Sequence, residues 1–185
     1  IDNSAFEHCS SLTSVVIPEG VVSIGDSAFD YCSSLESIVI PSSVTSMGTN
    51  VFDYCDNLTE VVFAPNSQLK VLNENVFLNC VDLETVILPE NLLRIEYGAF
   101  QYCYNLTNIS IPDSVTHIAF RAFNGCCNNL TSITIPDNIV SMGTPVFEGC
   151  DNLTSITWKG TMYTDKTTFN TAMKDASIAS GKVWD

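Results

Sequence analysis

The sequence predicts an α/β solenoid of stacked coils, mostly β with short helical turns, with a parallel sheet along one face and a capping helix at the C-terminal end. Two recurrences and one alternation predict it. Phe6, Phe29, Phe52, Phe77, Phe100, Phe123 and Phe147 lie 23, 23, 25, 23, 23 and 24 residues apart, and Cys9, Cys32, Cys55, Cys80, Cys103, Cys126 and Cys150 each follow three residues later. A fixed period in the twenties marks coils that bury their apolar faces only against neighbouring coils. Within a copy the apolar residues run from Leu35 into the alternation of Ile38 and Ile40, as in a strand with one buried face.

Each element then follows in order. The segments Leu12–Ile17, Leu35–Ile40, Leu58–Phe63, Leu83–Leu88, Leu106–Ile111, Leu130–Ile135 and Leu153–Trp158 are expected to pair in parallel. Pro41 ends its strand because proline lacks an N–H and restricts the residue before it. Val44 and Met47 point inward from the next side of the coil, and Gly48 is expected at a corner where positive φ would be cheap. A single helical turn is expected near Asp26-Ser27, whose side chains can cap exposed N–H groups; Pro145 falls where a first-turn proline is tolerated. Two extra residues around Ala64–Gln68, and one at Gly125–Asn128, mark loops. Beyond Trp158 the repeat stops. Asp165 can cap a helix whose Phe169, Ala172, Met173 and Ala176 form one apolar stripe, Gly181 ends it and Val183-Trp184 adds bulk. The expected division is a seven-copy solenoid over residues 1–158 and a capping segment over 159–185 of the same domain.

Bulk composition excludes several functions. Hydrophobic residues make up 45% and charged ones only 15%, and 21 acidic against 7 basic side chains give a net charge of −14. Nucleic acid is not an expected partner, because phosphate contacts need clustered Lys and Arg. No run approaches the roughly 20 apolar residues of a membrane span, so no membrane insertion is expected in this segment. Ile1-Asp2-Asn3-Ser4-Ala5-Phe6 matches Ile24-Gly25-Asp26-Ser27-Ala28-Phe29, so the sequence is expected to open in mid-repeat, with any export signal upstream.

The pattern Ala-Phe-x-x-Cys-x-x-Leu-x-x-Ile-x-Ile-Pro, followed by Val-x-x-Ile-Gly, resembles the BspA-type leucine-rich repeat from Ile1 to Trp158. The resemblance implies a leucine-rich-repeat solenoid in an extracellular or cell-surface protein. It also implies adhesion to host extracellular proteins such as fibronectin and fibrinogen, or to neighbouring cells. A solenoid hosts many partners, so the fold follows more firmly than the function.

The chemistry-bearing residues are few. The seven repeat cysteines occupy a slot that wants a small apolar group, and free cysteine serves as one. Parallel stacking points their Cβ atoms the same way, which does not favour bridges. A ladder of reduced, buried thiols is therefore expected, with one of Cys126 and Cys127 exposed. No C-x₂-C pair occurs, and His8 and His117 sit at different repeat positions, so no metal site is expected. Nor do phosphate-loop, nucleophile-elbow or H-E-x-x-H motifs occur; no catalytic residue and no cofactor are expected. The Asn-Leu-Thr sequences at Asn57, Asn105, Asn129 and Asn152 match a glycosylation pattern, but Asn bonding its own backbone at a corner produces them equally.

Two outward-facing ladders remain as candidate partner-binding residues. Val16, Val39, Val62 and Ile87 share an exposed strand slot that becomes Ser110, Thr134 and Thr157 further on, so the N-terminal half carries an apolar stripe. Immediately before the cysteines stand His8, Tyr31, Tyr54, Asn79 and Tyr102, next to Glu7, Asp30 and Asp53. These tyrosines offer either a contact surface or simple stacking between coils. The expected function is a non-enzymatic protein-binding module; the alternatives are a structural spacer without a ligand and, third, carbohydrate binding.

Overall fold

The computed structural model describes residues 1–126 and 129–180. In chain order its elements are β1 (Ser23–Ile24), β2 (Ser37–Ile40), β3 (Ser46–Met47), β4 (Glu60–Phe63), β5 (Val71–Leu72), β6 (Thr85–Ile87), β7 (Arg94–Ile95), β8 (Asn108–Ile109), β9 (His117–Ile118), β10 (Ser132–Ile135), β11 (Ser141–Met142), β12 (Ser155–Trp158), β13 (Thr161–Tyr163) and α1 (Lys166–Ser180). Corresponding strands of successive coils stack in parallel, with Ser37, Glu60, Thr85 and Asn108 in one register row and Ile38, Val61, Val86 and Ile109 in the next. The first of these rows is exposed and the second buried, as strand periodicity requires. Pro41 directly follows the last residue of β2. The segment Leu12–Ile17, expected as a strand, forms none: among the described residues a single backbone bond, from Glu36 N–H to Thr13 C=O at 3.1 Å, ties it to the following coil, too few for a ladder.

A second parallel column, β1-β3 and β5-β7-β9-β11, lines the side that Val44 and Met47 enter. Both residues are buried, as their spacing predicts. The third side is a turn rather than the expected helical turn. Ser27 and Tyr31 adopt φ of 52° and 57°, which a right-handed helix does not admit. Asp30 N–H donates to Ser27 C=O and Cys32 N–H to Phe29 C=O, each at 3.1 Å, closing successive tight turns. The alternate N–H groups of Ser27, Phe29 and Tyr31 donate across to Thr49, Val51 and Asp53 carbonyls of the next coil, each at 2.9 Å. The turn side is thus a hydrogen-bonded ladder like the sheets, and backbone groups in the core find partners.

Two local expectations change accordingly. Asp26 caps the neighbouring coil instead of its own turn, its Oδ1 accepting from Thr49 N–H at 2.8 Å. Gly48 is required by close approach and not by positive φ, since a Cβ there would lie 2.5 Å from Asp26 N. Pro145 sits in a bend after a cis Thr144–Pro145 bond, with no helix following.

The core is one continuous stack. Phe29, Phe52, Phe77, Phe100 and Phe123 are fully buried, and consecutive rings from Phe6 to Phe147 lie 5.1 to 5.8 Å apart, nearly parallel. Such pairs are worth about 0.5–1.5 kcal/mol each beyond their buried area. Beside them the cysteine slot has a polar duty as well as a packing one. The thiols of Cys32, Cys55, Cys80 and Cys103 donate to the carbonyls of Phe6, Phe29, Phe52 and Phe77 at 3.0 to 3.2 Å, and Cys126 donates to Phe100.

Both departures from the period interrupt a sheet and leave the phenylalanine stack intact. β3 and β5 do not pair, where the copy has two extra residues; there the Asn73 side-chain amide donates to Met47 C=O at 2.6 Å, replacing a backbone donor. Likewise β8 and β10 do not pair, where one residue is added between Cys126 and Leu130. At the far end Lys159 and Gly160, with φ of 50° and 70°, form a hairpin turn that lays β13 antiparallel on β12. This strand, which carries no repeat signal, covers the outer edge of β12. Asp165 Oδ1 accepts from Thr168 N–H at 2.8 Å at the start of α1, as its position predicts. Phe169 is fully buried 6.2 Å from Phe147, with Tyr163 and Trp158 edge-on to it. Met173 is buried, and Ala172 and Ala176 pack against the core. Gly181, Val183 and Trp184 lie outside the described residues.

Candidate binding surface

The sheet row Val39, Val62 and Ile87 is in register. Val39 is 57% exposed, Ile87 is 52% exposed and Val62 is half-buried between them. Val16, 89% exposed, lies outside any strand, and no strand pairing sets it in this row among the described residues. Ser110 and Thr134, exposed, replace the apolar residues next, on either side of the β8–β10 break. An open recess of about 430 Å³ there is lined by Asn108, Ser110, Ser132 and Thr134.

The turn edge brings the aromatic slot together in part. His8, Tyr31 and Tyr54 stack with centroids 4.7 and 4.6 Å apart. Asn79 interrupts the row, and Tyr102 lies beyond it, tilted against Tyr104 at 5.9 Å. Every occupant of the slot is left-handed: His8, Tyr31, Tyr54, Asn79 and Tyr102 have φ between 53° and 64°, and Gly125 and Gly149 follow at 71° and 74°. Asn and Gly take that conformation readily, whereas a tyrosine bears about 1–2 kcal/mol for it.

The acidic row one residue earlier is buried beneath these rings. Asp30 and Asp53 are each only 8% exposed, and Asp30 Oδ1 has no hydrogen-bond partner among the described residues. Burial pushes the Asp53 carboxyl up to about 6, against the Asn79 amide at 3.4 Å that pulls it down, with the charge of Asp30 adding to the rise. Burial, then the charge of Glu7, raises Asp30. Asp56 is raised by burial and by Asp82. The charge is unevenly placed along the chain. Residues 1–69 hold nine acidic side chains and no Lys or Arg; all seven basic residues lie from Lys70 onward.

The other candidate groups form no reactive constellation. Cys32, Cys55, Cys80, Cys103 and Cys126 are free and buried, as predicted; Cys9 is free but exposed. Burial pushes the Cys32 thiol up to about 11 and the thiols of Cys55, Cys80 and Cys103 higher still, which suppresses the thiolate and its chemistry. Cys150 departs from the expected reduced ladder: it is disulfide-bonded. Parallel stacking disfavours bridges only among cysteines that share the repeat slot, and the sequence holds an eighth cysteine besides those seven. Cys126 is buried, while Cys127 lies outside the described residues. Among the described residues no group of three or more His, Cys, Asp or Glu is placed to hold a metal ion, and no helix is long and apolar enough to cross a membrane. Asn105 and Asn129 spend their amides between coils instead of on their own backbone, Asn105 on Asp82 at 3.0 Å and Asn129 on Asn105 at 3.4 Å.

Sequence reading missed a second aromatic pair. Tyr97 and Phe120 stack at 6.0 Å, with the Arg121 guanidinium 5.0 Å from the Phe120 ring centroid. Their spacing of one repeat was the available signal.

Comparison with known proteins agrees with this geometry. The sequence matches the BspA type leucine rich repeat region, in six copies, over residues 1–128 and 94–182. Among solved structures, the T. pallidum leucine-rich repeat protein is 28% identical, with a TM-score of 0.76 over 88% of this chain and 82% of its own. A leucine-rich repeat protein from Eubacterium ventriosum is 27% identical, with a TM-score of 0.68 over 75% of this chain. A leucine rich cell surface protein from Faecalibacterium prausnitzii is 32% identical, with a TM-score of 0.50 over 80% of this chain. The chain spans 37% and 46% of the length of the last two. No curated protein matches it in sequence.

Proposed function

The chain belongs to the BspA-type leucine-rich-repeat family, and we propose that it is a non-enzymatic binding module, outside the cell or on its surface, that holds a host or neighbouring-cell protein. The observation that carries this reading is the exposed row of Val39, Val62 and Ile87 on a parallel sheet. Contiguous exposed apolar side chains on a rigid scaffold are where protein partners bury area. The cell-surface description of the similar F. prausnitzii protein supports the location.

A panel of immobilised extracellular-matrix proteins and mucin glycans tests the reading. A protein ligand is expected to bind the wild type and to lose at least about tenfold in affinity to V39D combined with V62D, two charges set into the centre of an apolar contact. Unchanged affinity removes the row as the site. The second reading, a spacer that projects other domains, draws on the polar row of Ser110 and Thr134; no binding to any panel member favours it.

A further inference from the structure

The apolar sheet row is bordered by carboxylates, and the two features together define the chemistry of an occupant. We propose that Val39, Val62 and Ile87, with Glu36, Glu60 and Glu84 beside them, form a docking site for an amphipathic helix of a partner protein, one whose aliphatic stripe is flanked by Lys or Arg. This assignment rests on the binding reading above and adds to it the shape and charge of the partner.

Three observations carry it. First, the charge beside the row is exposed and unanswered. Glu36, Glu60 and Glu84 are all exposed, and among the described residues none of them enters an ion pair. No Lys or Arg occurs in residues 1–69. Glu60 lies two residues before Val62 on β4, so both side chains leave the same face of the sheet, about 7 Å apart along the strand. Glu36 and Glu84 sit on the rungs to either side. Thr59 N–H donates to the Glu36 carbonyl at 2.9 Å, and Glu84 N–H donates to the Thr59 carbonyl at 3.0 Å. Carboxylates that border an apolar row favour cationic partners over anionic ones and steer their approach.

Second, the two features end together. After Ile87 the sheet slot holds Ser110 and Thr134, and after Glu84 the flanking slots hold Thr107 and Asn108, then Thr131 and Ser132. The later coils form their strands with these neutral polar residues. The fold therefore requires neither the methyl groups nor the carboxylates of the three rungs that carry both.

Third, the rung spacing suits a helix. The row runs in register across three strands, which lie about 4.8 Å apart. A helix laid along the stack offers a stripe residue about every 5.4 Å, a drift of about 1 Å over two steps. An extended segment in that direction repeats its face about every 6.7 Å, so its third residue misses by most of a rung. A strand laid along β4 instead meets a single residue of the row.

The test is fluorescence anisotropy of the whole chain with three labelled peptides of about 18 residues, long enough for a helix to form. One has a leucine stripe with lysines along a flank, the second has glutamates in place of those lysines, and the third shuffles the first to abolish the stripe. The lysine-flanked peptide is expected to bind at least about tenfold more tightly than either other peptide at low salt, with its lead over the glutamate peptide narrowing as salt rises. E36Q combined with E60Q and E84Q alters only exposed side chains, with the fold checked by circular dichroism, and should weaken the lysine peptide about tenfold without weakening the glutamate one. V39S combined with V62S repeats the Ser110 of that slot without adding charge and should weaken both striped peptides. Equal binding of the lysine and glutamate peptides overturns the proposal, as does a shuffled peptide bound as tightly as the striped one. So does unchanged binding to the glutamine variant, or no striped peptide bound at low salt. A matrix protein lost to V39D/V62D but held by the glutamine variant as by the wild type keeps the sheet row as a site and ends this assignment. If V39S/V62S binds the lysine peptide like the wild type while no matrix protein is lost to V39D/V62D, both readings fall.

Discussion

Residues 1–69 and the coils that follow share a core and differ on the outside. Both halves stack the same phenylalanines 5.1 to 5.8 Å apart. Yet the first carries the stacked His8–Tyr31–Tyr54 edge, Val39 and Val62 on the sheet and no basic side chain, while the second has Asn79, Tyr102, Gly125 and Gly149 on the edge, Ile87 giving way to Ser110 and Thr134 on the sheet, and all seven basic residues. The difference teaches that the repeat constrains slots and not faces. A buried ring has two rings for neighbours and little freedom to change. An exposed slot needs only the right backbone conformation, and its side chain can diverge coil by coil.

The largest expected effect tests the shared part. Phe52 lies between Phe29 and Phe77, and Phe123 between Phe100 and Phe147. F52A and F123A should each cost about 3–5 kcal/mol in denaturant unfolding, and by similar amounts. A much smaller loss at Phe123 would mean that the halves differ in core packing too.

Next in size comes the sheet. Thr59 and Thr131 occupy one slot, each after a leucine, but among the described residues only Thr59 N–H has a backbone partner, the Glu36 carbonyl at 2.9 Å. Beside Thr131 the sheet is open between β8 and β10. Amide hydrogen exchange by NMR should therefore be at least about tenfold faster at Thr131 than at Thr59. Equal protection would close the sheet and make the polar recess at Ser110 and Thr134 disappear.

These contrasts show what could be read from the sequence and what could not. The period placed the core, because Phe29 and Cys32 recur for a single physical reason that every coil repeats. Strand alternation likewise placed Val39, Val62 and Ile87 in one row. The turn was misread as helical because Asp26-Ser27 looks like a cap, while the left-handed φ of Ser27 and Tyr31 leaves no mark in residue types that are not Gly or Asn. The thiol donation from Cys80 to Phe52 C=O was hidden for another reason. A small apolar residue and a weak donor are the same residue, and only the stacked geometry shows the second role. The β13 hairpin lacks a periodic signal altogether, leaving Lys159-Gly160 as its single clue.

The smallest expected effect separates the halves by sign. Asp53 is raised to about 6 by burial, with Asp30 raised alongside it. A carboxyl held above its unfolded value of about 3.9 takes up protons on folding. Its charged form weakens the fold above pH 6, and that penalty lifts as pH falls through 6 toward 4. Asp165, at the start of α1, is lowered by the Thr168 N–H and hydroxyl bonds; its contribution is present above about 3.9 and is lost only in stronger acid. Melting temperature should thus rise by about 2–4 °C from pH 7.5 to pH 5. D53N should gain that increment at pH 7.5 and flatten the profile, since Asn124 already fills the equivalent slot. The control is E19Q, which removes one exposed charge without touching a buried carboxyl. An equal gain from E19Q would assign the effect to general charge repulsion, and the acidic edge of the N-terminal half would then be electrostatically ordinary.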